Sequence, residues 1–352
     1  MDFEQRLTLV NKSPTEEIIT SSDLIRLLET TPHPKHYIGL EISGQLHLGS
    51  LIITGLKIND LIKAQFNTTV FLADWHTFIN NKMDKNWQKI KELSLYYKDA
   101  FSFFCPGVNI VLGTELYEEN DDYWKNFMLF CKHLTLSRTM RSLTIMGRNE
   151  KDSLDFSQFL YPAMQANDIH TLDLDLVHSG MDQRKIHMLV REIFPKLGWK
   201  VPVCLHHHLL LGLLEPTRLG LTEDVTEDYS ISSKMSKSKP MGGIFIHDDE
   251  NTIKKKITKA YCPEGISTNN PVLDLAKYLV FPYFNEFMLE RPSKYGGNVI
   301  FTSFSDLEKE YVSKKIHPQD LKTSISIHIN KILEPVRDHL KNKFPFDISH
   351  DF

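Results

Sequence analysis

The stretch HYIGLEISGQLHLGS, residues 36–50, decides the fold. Its first half, His36 to Ile42, is a short apolar run that reads as a buried strand, and Gly44 marks the turn that ends it. From Leu46 to Lys63 the apolar residues recur at 48, 51, 52, 56, 58, 61 and 62, the spacing of a helix. The rhythm then repeats. Thr69 to Ala73 is β-rich, Lys85 to Phe104 is a charged amphipathic helix, and Val108 to Leu112 is a strand again. Crossovers of this length join parallel strands. A second half resumes at Leu176 to Ser179, runs through a helix over Asp182 to Phe194, and returns as the strand Val201 to Leu205. The expected class is therefore α/β: a Rossmann-like, doubly wound parallel sheet behind a helical N-terminal preamble, interrupted by a helical insertion at about residues 121–169.

Working outward, the composition from Leu213 to Ser233 shifts to Pro, Gly, Thr and acidic residues, including TEDVTED at 222–228. A connector this long is expected to be a mobile functional loop. Beyond it the pattern is mostly helical, broken at Pro271, Pro282, Pro292, Pro318 and Pro335, as in a smaller α-helical domain. The expected division is 1–212, a linker at 213–245, and 246–352.

Composition bounds the function. The 352 residues hold 41% hydrophobic and 11% aromatic side chains, enough for an extended core, which excludes an intrinsically disordered chain. Four cysteines, at 105, 131, 204 and 262, form no CxxC pair and read as reduced thiols of a cytoplasmic protein. The start, MDFEQRLTLV, lacks a basic-then-apolar signal, and no apolar run approaches the ~20 residues of a membrane span, so no membrane partner is expected. With 41 Lys and Arg against 45 Asp and Glu the net charge is −4, which argues against a uniformly basic nucleic-acid coat. Local patches are a separate matter. Lys132 to Arg148 carries four cations and no anion, namely Lys132, Arg138, Arg141 and Arg148, and Arg184-Lys185 forms a second cationic pair.

Two segments carry the chemistry. His47-Leu-Gly49-Ser50 sits where the first strand hands over to the first helix, the carboxyl-end crevice of an open parallel sheet. A helix start there presents free backbone N–H groups to a phosphate, Gly49 lets a ligand approach closely, and His47 adds a donor. Lys234-Met235-Ser236-Lys237-Ser238 follows the last sheet strand, in a loop able to fold two lysines over a polyphosphate. Together the segments resemble the HIGH and KMSKS motifs of the class I aminoacyl-tRNA synthetases.

Further residues resemble the tyrosyl branch in its archaeal and eukaryotic form. Tyr37-Ile-Gly39-Leu-Glu41, Leu72-Ala-Asp-Trp-His76, Tyr161-Pro-Ala-Met-Gln165-Ala-Asn-Asp168, Gly180-Met-Asp182-Gln183-Arg184-Lys185 and His317-Pro-Gln-Asp320 occur in the family's order, from about residue 16 to Leu340. Tyr161, Gln165 and Asp168 fall at i, i+4 and i+7, one stripe of a helix. The resemblance implies that Tyr37 and Asp168 bind a tyrosine phenol, that Tyr161, Gln165 and Gln183 hold its ammonium group, and that His76 belongs to the same pocket. A site of this kind rejects phenylalanine because its buried polar groups would be left unpaired. Gly39, Glu41, His47, Gly49, Ser50, Gly180, Asp182, Met235 and Ser236 are implied to bind ATP, with Gly180 and Asp182 at the ribose. His47, Lys234 and Lys237 stabilise the charge that builds on the phosphate.

The implied substrates are L-tyrosine, ATP with Mg²⁺ travelling on the nucleotide, and tRNA(Tyr), and no resident metal is implied. Arg138, Arg141, Arg184 and Lys185 are placed near the acceptor end of the tRNA. Tyr295, His317 and Asp320 are placed at the anticodon, in an anticodon-binding domain over 246–352, and the resemblance implies a homodimer formed through the insertion. Two positions depart from the family pattern: its usual second histidine is Ser50 here, and its usual Pro is Ile42. These departures leave a catalytically weakened tRNA-binding paralogue as an alternative, and the fold and class motifs, which tryptophanyl-tRNA synthetases share, leave a tryptophanyl-like enzyme as another. Cys204 with His206 and His208 suggests a metal site, but strand alternation permits only these three to converge and supplies no fourth ligand.

Overall fold

Strand β2, Lys35–Leu40, lies inside a six-stranded sheet whose order is β1-β6-β5-β2-β3-β4. The computed structural model describes residues 1–148, 153–217, 228–229, 232–237, 239–341 and 343–344. In it β1 is Thr15–Ile19, β3 Asn67–Leu72, β4 Asn109–Leu112, β5 Leu176–Gly180 and β6 Val203–His207. Strands β2 to β6 are mutually parallel, with Tyr37 of β2 opposite Thr69 on one side and Val177 on the other. The chain leaves β2 outward through β3 and β4, then returns to β5 and β6 on the opposite side. The order therefore reverses between β2 and β5, and residues just past Leu40 and Gly180 flank the crevice where such sheets bind ligands.

Helices α3 (Ile53–Lys63), α5 (Trp87–Phe104) and α10 (Arg184–Leu197) make the crossovers. In α10 the buried residues Ile186, Leu189, Val190, Ile193 and Phe194 fall at i, i+3, i+4, i+7 and i+8, so one apolar stripe covers the sheet. Short helices α4 (Asp74–Ile79) and α6 (Gly113–Glu118) follow β3 and β4 directly. The insertion holds α7 (Tyr123–Cys131), α8 (Leu136–Ser142) and α9 (Tyr161–Thr171).

The N-terminal preamble needs correction. Between α1 (Phe3–Asn11) and α2 (Ser21–Thr30) lies β1, which pairs antiparallel with β6, Ile19 opposite Cys204 and Thr15 opposite His207. It covers an otherwise open sheet edge. Five residues that include Glu16 and Glu17 carry too little alternation to announce a strand.

The chain divides into two compact units. The first comprises Met1–Gly44 and Lys57–His208 and contains the whole sheet. The second comprises Gln45–Leu56 and the chain from Leu209 onward. Its helices Glu250–Lys259 and Pro318–Leu340 pack together, the latter burying Leu321, Ile325, Ile329, Ile332, Leu333, Val336 and Leu340 along one face. This unit is not purely helical, as Phe287–Leu289 pairs with Val299–Phe301 in an antiparallel hairpin. Strands of three residues are too short to show a period in sequence. Residues 218–227, 230 and 231 of the expected mobile stretch lie outside the described residues, as does Ser238.

Candidate active site

In the first unit a carboxylate is built into a wall of phenols. Asp168 lies buried on α9, where its Oδ1 accepts from the Tyr123 hydroxyl of α7 at 2.7 Å, while its Oδ2 has no hydrogen-bond partner. His76 of α4 brings Nε2 to 3.5 Å from that Oδ2, and its Nδ1 lies 3.5 Å from the Tyr117 hydroxyl of α6. Burial pushes the His76 pKa down to about 3, so its ring is neutral. Asp74 ties α4 to the start of α6, accepting from Thr114 Oγ1 at 2.6 Å and from its N–H at 3.1 Å. Burial also pushes Asp168 up to about 8, against the lowering effect of the Tyr123 and Tyr117 hydroxyls. The Gln165 Oε1 is likewise buried and unpartnered. Orphaned buried polar atoms are rare in folded proteins, and α9 carries four, Asn167 Oδ1 and Thr171 Oγ1 besides these two; those of Gln165 and Asp168, one turn apart on the stripe that holds Tyr161, suit a ligand with donors at both ends.

The sequence assigns Gly39 and Glu41 to a nucleotide, and the structure gives both other neighbours. A Cβ on Gly39 would come within 3.0 Å of the Tyr37 hydroxyl, so Gly39 makes room for that ring. Glu41 Oε1 accepts from the Tyr161 hydroxyl and from Asn80 Nδ2, each at 2.8 Å. Gln165 Nε2 lies 3.4 Å from Gln183 Oε1, and Gln183 Nε2 donates to the Ile145 carbonyl at 2.7 Å. Tyr37, Glu41, His76, Tyr161, Gln165, Asp168 and Gln183 thus belong to one unit. Gly180 closes β5, and Asp182 lies in the turn Met181–Gln183 that follows. Tyr117, Tyr123 and Asn80 were missed. An isolated tyrosine in DDYWKN gives no sign that it faces a carboxylate 45 residues away.

In the second unit the His47 segment pairs with residues 244–246, which follow the lysine motif. Leu46 and Leu48 pair with Ile244 and Ile246 through Leu48 N–H to Ile244 O at 3.0 Å and Ile246 N–H to Leu46 O at 3.1 Å. His47 caps the π turn Leu48–Ile52: its Nδ1 accepts from the Gly49 N–H at 3.0 Å, and its ring stands edge-on to Phe245. Burial, then Lys237 and Lys234, push its pKa down to about 3. The neutral ring therefore carries its proton on Nε2, where it is a hydrogen-bond donor. Gly49 has a local role besides ligand access, since a Cβ there would meet His47 Cε1 at 3.1 Å. Ser50 is turned inward. Its Oγ accepts from the His47 N–H at 2.8 Å and donates to the His47 carbonyl at 3.2 Å, so the hydroxyl expected at ATP serves the turn. Nor is Lys234 to Lys237 a free linker. Met235 N–H donates to Leu210 O at 2.6 Å and Gly212 N–H to Ser233 O at 2.7 Å, which pairs the segment with residues 210–212.

The cationic candidates are partly committed within the fold. Arg138 pairs with Glu192, Arg184 Nε with Glu17 at 2.9 Å, and Lys185 Nζ lies 3.4 Å from Thr144 Oγ1, while Arg141 is exposed. In the second unit Tyr295 is exposed with the Lys294 amine 4.8 Å from its ring centroid, and His317 caps the helix that carries Asp320 in its first turn. Arg291 bonds the Gly297 and Lys315 carbonyls, linking the Tyr295 loop to the segment before His317.

The histidines of β6, and His208 after it, are bound to protein groups. His206 Nδ1 meets Glu17 at 2.8 Å and its Nε2 meets His187 at 3.0 Å, His207 meets His178 at 2.7 Å, and His208 meets Glu16. Among the described residues no group of three or more His, Cys, Asp or Glu could hold a metal ion. Among them also, no helix is long and apolar enough to cross a membrane.

Residues 29–334 match the family model described as tRNA synthetases class I (W and Y). The chain is 42% identical to the tyrosine–tRNA ligase of Thermococcus sibiricus over 360 residues, covering 97% of this chain and 96% of that one. It is also 42% identical to the tyrosine–tRNA ligase of Saccharolobus solfataricus over 352 residues, covering 99% and 95%. Among solved structures, the tyrosyl-tRNA synthetase of Pyrococcus horikoshii complexed with L-tyrosine superposes with a TM-score of 0.91 at 41% identity, over 97% of both chains. The Leishmania major enzyme in complex with tyrosinol gives 0.84 at 30% identity, over 97% of this chain and 63% of that one. With a match that runs through both compact units, the chain belongs to the class I tRNA synthetases of the W and Y family, in their tyrosyl branch.

Proposed function

We propose that this ligase activates L-tyrosine with ATP and transfers it to tRNA(Tyr). The observation that carries the reading is the buried, unpartnered Oδ2 of Asp168 among tyrosines, an acceptor matched to a phenolic hydroxyl. Tyr37 completes the phenol site. Tyr161, Gln165 and Gln183 receive the α-ammonium group, and Glu41 joins them as its counter-charge. A carboxylate bonded to Tyr161 suits an ammonium better than the phosphates for which the sequence proposed it. Gly180, which closes β5, and Asp182, just past it, take the adenosine ribose.

In the first step a tyrosine carboxylate oxygen forms a bond to the α-phosphorus. The bond from that phosphorus to the bridging oxygen breaks, and its electron pair leaves with pyrophosphate. In the second step a hydroxyl of the terminal tRNA ribose attacks the activated carbonyl carbon, and AMP departs. Neither step needs a protein nucleophile. His47 donates from Nε2, and Lys234 and Lys237 supply positive charge where the phosphates accumulate negative charge. The nucleotide enters as its Mg²⁺ complex.

Residues 1–212, with the lysines of the 213–245 linker, carry activation and 246–352 the anticodon contacts, with Tyr295 stacking on a base and Asp320 reading its edge. Arg138, Arg141, Arg184 and Lys185 attend the acceptor end of the tRNA. A homodimer is supported by the exposed Trp124, Met128 and Leu129 of α7 and Leu136 at the start of α8, apolar side chains of the kind that partners cover. The compartment is the cytoplasm. Tyrosine-dependent exchange of pyrophosphate into ATP tests the reading: exchange with tyrosine well above that with phenylalanine or tryptophan is expected, and no exchange by folded protein would sink it. Sedimentation that finds an active monomer would remove the dimer.

A further inference from the structure

Asp168 faces titratable groups from five other directions: Tyr37 on β2, Asp74 and His76 on α4, Tyr117 on α6, Tyr123 on α7, and Tyr161 at the start of its own helix. Only one of them makes a short bond to its carboxylate, the Tyr123 hydroxyl at 2.7 Å from Oδ1. Tyr123 is itself held. It is fully buried, its ring lies 4.3 Å from that of Tyr117, and its carbonyl accepts from Asn167 Nδ2 at 3.0 Å, which ties α7 to α9 one residue before Asp168.

We propose that Tyr123 is the positioning residue that lets Asp168 discriminate a phenol from an unsubstituted ring. By occupying Oδ1 it stops the carboxylate from rotating and leaves Oδ2 as the oxygen that accepts the substrate hydroxyl. The inference rests on the assignment of Asp168 to the phenol given above. Burial already raises this carboxyl to about 8, and a carboxylate alone in an apolar wall would keep its proton to still higher pH and lose its preference for a donor. The hydroxyls of Tyr123 and, behind it, Tyr117 oppose this, since each bond donated to the ionised form favours that form.

The test measures kcat/KM for tyrosine and for phenylalanine in pyrophosphate exchange, across pH, with the melting temperature of each variant as a check on folding. Tyr123→Phe is expected to lower the tyrosine-to-phenylalanine ratio about tenfold or more, through the tyrosine value alone, which is the effect of one hydrogen bond to a charged group. It is also expected to move the acid limb of kcat/KM for tyrosine to higher pH, because loss of a donor raises the carboxyl pKa. Tyr117→Phe should shift both quantities in the same direction by less, and it decides the matter should Tyr123→Phe fail to fold. In an Asp168→Asn background Tyr123→Phe should leave the ratio unchanged, a coupling that a purely structural role does not produce. Equal losses for the two amino acids, or an unmoved ratio and acid limb in folded Tyr123→Phe, would overturn the inference while leaving the tyrosine ligase reading in place. A wild-type chain inactive with tyrosine would overturn both.

Discussion

The Ser50 hydroxyl accepts the main-chain N–H of His47 at 2.8 Å while His47 Nδ1 accepts the N–H of Gly49, so the residue that departs from the family motif orients the one that keeps it. Ser50 acts as part of a cap, and His47 presents its proton on Nε2. Their substitutions should therefore differ in kind. Ser50→Ala should cost about 1 kcal/mol of stability, the usual effect of a lost cap, and lower the rate of tyrosine activation less than tenfold. His47→Ala should lower kcat for activation by about 10² while leaving the KM for tyrosine nearly unchanged, as for removal of one preorganised donor. Thermal unfolding together with pyrophosphate exchange separates the two. A larger kinetic loss for Ser50→Ala than for His47→Ala would contradict the assignment.

Glu41 distinguishes an ammonium anchor from a nucleotide contact. With its Oε1 bonded to both Tyr161 and Asn80, the carboxylate is fixed beside the residues proposed to hold tyrosine. Glu41→Gln keeps the shape and removes the charge. It should raise the KM for tyrosine about tenfold or more with little change in the KM for ATP. The opposite pattern would return Glu41 to the nucleotide.

Buried histidines predict how the protein responds to acid. His36 is held down to about 3 and His207 to about 4, and His178 and His187 also lie well below their ordinary value, burial being the first cause in each case. Such groups are neutral in the folded state and take up protons near pH 6.5 once unfolded. Their contribution is thus fully present above about pH 6.5 and is lost as pH falls toward their folded values, at about 1.4 kcal/mol per pH unit for each one. His36 has no hydrogen-bond partner at either ring nitrogen. Its replacement in His36→Leu should raise the melting temperature at pH 5 relative to wild type by more than it does at pH 8. An equal change at both pH values would show that protonation of His36 plays no part.

Asp320 sits in the first turn of the helix Pro318–Leu340, capped by His317, in the unit that does not contain the sheet. Asp320→Ala should raise the KM for tRNA in aminoacylation by about tenfold, the cost of one lost base-edge contact, and leave tyrosine-dependent pyrophosphate exchange as it was. Parallel losses in the two assays would point to a structural role for the His-Pro turn.

The alternation of strand and helix around residues 36–112, the glycine-marked turn, the insertion and the late KMSKS segment are all local patterns, and by themselves they determined an α/β fold and singled out His47, Lys234 and Lys237 as candidates for a phosphate. They also placed Tyr161, Gln165 and Asp168 on one helix, because a period of 3.6 is a property of consecutive residues. What only the tertiary structure decided is which partner each of these side chains meets. Tyr123 and Asp168 are 45 residues apart, Glu41 and Tyr161 120, and Glu17 and His206 189. Strand β1, the bonds from Tyr161 and Asn80 to Glu41, the inward turn of Ser50 and the phenol that holds Asp168 all depend on such pairings. Sheet order and register bring distant segments together, and a side chain's own sequence neighbourhood holds no record of what will be packed across from it.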